Sequence, residues 1–150
     1  MKNIRNAREF CFQFFFHLQL PIFQELKQQL QADGGEVELN NQINEFKQTT
    51  NSLLADNEQN FVETQVKSTL KHYAELEKLI EENLKNWKIS RLSKVDHTTL
   101  LLAVNELKYT QTAPKKVIIN EAIEISKKFG TKESSSFING ILDNIAKKEN

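Results

Sequence analysis

Apolar residues recur at intervals of three and four in every strongly patterned stretch of this chain, and no stretch alternates apolar and polar side chains for the length of a strand. That spacing puts the apolar side chains on one face of a helix and would scatter them over both faces of a strand. The chain is therefore predicted to be all-α. With only four Gly and two Pro, it also lacks the turn residues of an all-β fold and the glycines of a classical nucleotide-binding loop. At 150 residues one domain with a real core is expected, spanning 1–150.

The first helix runs from about Ile4 to Leu20, with Ile4, Ala7, Cys11, Phe14, Phe15 and Leu18 as its stripe. Phe10, Phe12 and Phe16 widen it, so this helix is either central or shows an aromatic face to a partner. Pro21 opens a second helix carrying Ile22, Phe23, Leu26 and Leu30, which Asp33-Gly34-Gly35 ends. The acidic, amide-rich stretch 36–60 is predicted to hold a short helix near 38–50 between loops. Helical spacing returns from Phe61 to Leu84, with a bend near Lys71-His72 and without the clean heptads of a coiled coil. After a connector containing Trp87, Ile89 and Leu92, Ser93 caps a helix running to Tyr109. Thr112 with Pro114 starts the next helix, with Gly130 as a left-handed C-terminal cap. Thr131 is expected to cap the last helix, in which the interior Gly140 implies close approach of another backbone. About seven helices result, without an internal repeat.

Charge narrows the function. Lys+Arg and Asp+Glu are equal at 20 each. Residues 1–75 hold seven basic and ten acidic side chains, and residues 76–150 hold thirteen and ten. A phosphate-neutralising surface must then be a local patch, and Lys115, Lys116, Lys127, Lys128 and Lys132 form the densest one, although such a run is also what a solvated helix face looks like. No stretch is apolar enough for a membrane span, and MKNIRNAREF does not resemble a secretory leader. The single cysteine, Cys11, precludes an internal disulfide, in keeping with a cytoplasmic setting. His17, His72 and His97 have no metal-ligand spacing, Ser134-Ser135-Ser136 lacks a strand-to-helix elbow, and Glu121 with Glu124 is an ordinary helical carboxylate pair. No catalytic, metal or cofactor site is expected.

Residues 87–148 carry a more specific signal: VIINEAIE at 117–124, Lys128-Phe129-Gly130, and FINGILD at 137–143. In order and spacing these resemble the C-terminal half of the NusB family of bacterial transcription antitermination factors. Ala7-Arg8-Glu9 with Gln13 and Phe16 is similar to the family's first helix. The resemblance implies an all-helical fold of two packed subdomains without catalytic activity. It also implies binding of the boxA element of nascent ribosomal RNA together with NusE, a protein of the small ribosomal subunit, within an RNA polymerase complex containing other Nus factors. Carried over by position, Lys2, Arg5, Arg8, Lys116 and Phe137 would face RNA, and Phe16, Asp96 and Glu133 would lie at the NusE surface. Lysines meeting phosphates and an aromatic stacking on an unpaired base are the usual means of holding single-stranded RNA.

Each position also has a structural alternative. Arg8 would serve in an ion pair and Phe137 or Phe16 in a core, while Asp96 and Glu133 suit the first turn of a helix whatever they bind. Asn120, Glu121, Asn139 and Gly140 are expected to hold the last two helices in place through buried hydrogen bonds and a tight crossing. The family's arginine cluster ahead of Ala-Arg-Glu is reduced here to Lys2, Arg5 and Arg8, which predicts weaker RNA binding with a flatter salt dependence. A competing function is a helical homodimeric scaffold using the Phe-rich first helix. A NusB-like module of a ribosomal RNA methyltransferase would need a further α/β domain, for which no residues are expected after Asn150.

Overall fold

The computed structural model describes residues 4–85 and 88–149. Lys2 and Trp87 lie outside the described residues. Eight α-helices and no strand occur among the described residues, one helix more than expected, and they fall into two compact units, Met1–Lys71 and His72–Asn150.

The first unit comprises α1 (Arg5–Leu18), α2 (Gln24–Gln31), α3 (Glu36–Thr49) and α4 (Asp56–Lys71). Pro21 begins a single 3-10 turn leading into α2, where its missing N–H leaves no bond unmade. The helix α1 packs chiefly on α4. Its phenylalanines 10, 12, 14 and 15 are all buried. Phe10 and Phe14 meet the Phe46 ring of α3 edge-on, with centroids 5.6 and 5.5 Å away, the arrangement favoured by aromatic quadrupoles. The aromatic run is thus core, and the self-assembling scaffold loses the exposed Phe face it required. The stretch predicted as a short helix between loops is the full 14-residue α3, because Leu39 and Ile43, one turn apart, are both buried.

The second unit comprises α5 (Tyr73–Glu82), a 3-10 turn at Ile89–Arg91, α6 (Lys94–Asn105), a π turn at Glu106–Thr110, α7 (Lys115–Phe129) and α8 (Ser134–Lys148). Every residue from Thr98 to Leu107 is buried, so α6 is the unit's central helix, touching α5, α7 and α8. Ser93 caps it as predicted, its Oγ accepting from the Asp96 N–H at 3.1 Å. The expected bend near residue 72 is a break between α4 and α5. The His72 ring there stacks on Tyr109 with centroids 3.6 Å apart and planes 5° from parallel. Tyr109 also donates a hydrogen bond to the Glu75 carboxylate. Burial and that bond push the phenol up to about 12, while the bond holds Glu75 below the usual carboxylate range.

Three local expectations are corrected. Gly130 is extended (φ −101°, ψ −167°) and not left-handed. A Cβ there would sit 2.8 Å from the Ser126 carbonyl oxygen and 2.9 Å from Ser134 Oγ, so crowding accounts for the glycine. Thr131 does not cap α8; its N–H instead donates to Ser134 Oγ at 3.1 Å, and the N-cap position belongs to Glu133. Gly140 meets no close backbone, since a Cβ would find nothing within 4 Å. No described helix is long and apolar enough to cross a membrane.

Candidate functional site

In the first unit the candidate residues lie on α1. Arg5 is exposed in its first turn, where a phosphate could reach it. Arg8, one turn on, is only 7% exposed, with its guanidinium 5.1 Å from the centre of the Phe61 ring of α4. A planar, weakly hydrated cation suits that position, which ties α1 to α4 through the side chain. Phe16 is half-buried and stacks on Phe12, with centroids 5.9 Å apart. His17 sits between Phe23 (4.1 Å) and Phe46 (5.3 Å), and burial lowers its pKa.

In the second unit the structure brings Asp96 together with two candidates far from it in sequence, Glu133 and Phe137. Asp96 from the first turn of α6 and Glu133 and Phe137 from the start of α8 line one cavity of about 290 Å³, with Arg91, Ser93 and Ser134 on its walls. Phe137 is half-buried, so it belongs neither wholly to the core nor wholly to solvent. Asp96 Oδ1 is buried without a hydrogen-bond partner among the described residues. An unsatisfied buried acceptor costs roughly 1–3 kcal/mol, so a donor arriving from outside would be held strongly. Two carboxylates against the one arginine leave the lining net negative, which favours a cationic group in the cavity over a phosphate.

Lys116 lies elsewhere in this unit, exposed at the start of α7 beside a second, open groove of about 500 Å³ between α7 and α8. Asn120 and Asn139 line that groove too. Both are exposed, as is Gly140, which corrects the expectation that these residues hold the helices through buried hydrogen bonds. Of the lysine run, Lys115 donates to the Ala146 and Glu149 carbonyls at the end of α8, and Lys127 pairs with Glu124 at 3.3 Å. Only part of that run is therefore free to meet a ligand. Arg91 and Lys147 escaped the sequence reading; for Lys147 the available signal was the polar i, i+4 row Asn139, Asp143, Lys147 on α8.

Residues 5–147 match the family model described as the NusB family. A Listeria monocytogenes serotype 4a relative described as transcription antitermination protein NusB is 42% identical over 102 residues, covering 68% of this chain and 80% of the relative. An Exiguobacterium protein with the same description is 45% identical over 89 residues, 59% of this chain and 70% of its own. The structure of T. maritima NusB superposes with a TM-score of 0.78 at 30% identity, covering 99% of this chain and 93% of that one. A structure of antitermination factors NusB and NusE in complex with dsRNA gives 0.76 at 22% identity, covering 96% of each chain, and shares the fold.

Proposed function

The chain belongs to the NusB family, and from that premise we propose that it is a transcription antitermination factor that binds boxA RNA of nascent ribosomal transcripts together with a NusE protein. It acts in the cytoplasm by binding and not by catalysis, supporting an RNA polymerase complex that contains other Nus factors. Lys2, Arg5 and Lys116 meet phosphates, and Phe137 offers its ring to an unpaired base. Arg8, held over Phe61, contributes by fixing the orientation of α1. Phe16, Asp96 and Glu133 belong to the NusE surface.

The observation that carries the partner assignment is the cavity at Asp96, Glu133 and Phe137, where one carboxylate oxygen is buried and unpaired. A lysine or arginine of a ribosomal protein supplies the missing donor and, with Arg91 on the cavity wall, balances both carboxylates. The same carboxylates keep phosphates out of the cavity, so RNA reaches Phe137 from its outer side.

The test is a fluorescence-anisotropy titration of labelled boxA RNA at one fixed salt concentration, with and without purified NusE. Binding is expected to be weak alone and about tenfold or more tighter with NusE, within the usual range of coupling between sites. Equal affinity in the two arms refutes cooperative binding.

A further inference from the structure

Asn120 and Asn139 line the open groove between α7 and α8, and neither side-chain amide makes a hydrogen bond among the described residues. Each therefore offers a free amide with a donor and an acceptor side by side. Lys116 lies one turn before Asn120 on α7, without an ion-pair partner among the described residues. Asp143 and Lys147 follow Asn139 on α8 at successive four-residue steps and pair with each other at 3.3 Å. With Lys115, the groove has three lysines against one aspartate, so it attracts anions while presenting uncharged hydrogen-bonding groups at its centre.

Gly140 links this groove to Phe137. Four-residue rows run along the surface of a helix, and on α8 the row Ser136, Gly140, Asn144 lies between the row of Phe137 and the row of Asn139, Asp143 and Lys147. A glycine inside a helix weakens it relative to alanine. Gly140 is exposed and has nothing within 4 Å of where a Cβ would stand, so no internal contact requires it. Its open surface permits the close approach of a chain from outside.

Resting on the RNA-binding function above, we propose that the α7/α8 groove is the base-reading part of the RNA site. Asn120 and Asn139 hydrogen-bond to base edges, and Gly140 is the track over which the RNA backbone passes from Phe137 to Lys116 and Lys147. The occupant is unpaired RNA, because in an A-form duplex the Watson–Crick edges are taken up by pairing and the major groove is too deep and narrow for a side-chain amide to read.

Two variants at exposed positions test this with the intact protein and NusE present. The probes are boxA RNA and an RNA of the same length and composition in scrambled order. The double variant Asn120→Ala, Asn139→Ala is expected to lose about tenfold of the preference for boxA over the scrambled RNA while keeping the salt dependence of binding. Gly140→Gln is expected to raise the melting temperature, since Gln is the better helix former, and to weaken binding of both RNAs about tenfold by lifting the backbone away. Variants that bind both RNAs like the parent overturn the inference, as does loss of NusE capture with RNA binding intact, which would make the face a protein surface. If the parent itself fails to bind boxA RNA, the proposed function falls with it; parental binding with indifferent variants removes only the groove.

Discussion

Phe137 and Ile138 are adjacent on α8 and face different surroundings, so truncating each in turn separates packing from binding. Ile138 is 0% exposed. Ile138→Ala removes a fully buried side chain and is expected to cost about 2–5 kcal/mol of stability. Phe137 is half-buried along the cavity that holds Asp96 and Glu133. A fully buried phenylalanine would cost about 3–5 kcal/mol on truncation, and half of that burial puts Phe137→Ala near 2 kcal/mol. At roughly 2–4 °C per kcal/mol for a chain of this size, the melting temperature falls by about 4–8 °C and the protein stays folded at 25 °C. Loss of a base stacked on the ring should then weaken boxA binding by about 1–3 kcal/mol, beyond anything that unfolding explains. Phe137→Tyr keeps the aromatic face and should preserve RNA affinity. Urea unfolding followed by circular dichroism, and anisotropy titration at one salt concentration, have to be run on the same preparations. Two results refute the reasoning: Phe137→Ala as destabilising as Ile138→Ala, which makes the ring core, or Phe137→Ala with full RNA affinity, which leaves the ring without a base.

Arg5→Ala and Arg8→Lys should part in the same way: the first removes an exposed side chain, shifts stability by less than about 1 kcal/mol and reduces the slope of log affinity against log salt by about 1, whereas the second costs about 1 kcal/mol of stability because an ammonium replaces the guanidinium over Phe61 and leaves that slope unchanged. Ser93→Ala removes the acceptor of the Asp96 N–H and should lower stability by about 1 kcal/mol in urea titrations, with Ser93→Asn restoring most of it. For His17, burial lowers the folded-state pKa from its ordinary 6.5, so the unfolded chain binds the proton more readily. Its contribution is complete above pH 6.5 and is lost as the pH falls through the lower folded value. The urea midpoint of the parent should thus decline as the pH falls below that point, and His17→Leu should remove this part of the decline; a variant with the parent's pH profile contradicts the assignment.

The helices were legible in the sequence because each records its own apolar face. The stripe of Ile4, Ala7, Cys11, Phe14, Phe15 and Leu18 identifies α1, and Ser93 marks where the helix running toward Tyr109 starts. The family resemblance was legible as well, since VIINEAIE and FINGILD are short local strings. What covers each face was not legible. Periodicity states that a side chain is turned inward and says nothing of the residue it meets, which the folded chain brings in from tens of positions away. Only the tertiary structure puts Phe61 under Arg8, lays Tyr109 on His72 where the sequence marked no more than a bend, and crowds Gly130 against Ser134 so that the glycine serves space and not handedness. The candidate sites divide in the same way. Asp96 stands 37 positions before Glu133 and shares a cavity with it, while Asn120 and Asn139, which a local reading buries, line an open groove. Their exposure depends on how α7 and α8 lie against each other, and the spacing of residues along either helix does not contain that angle.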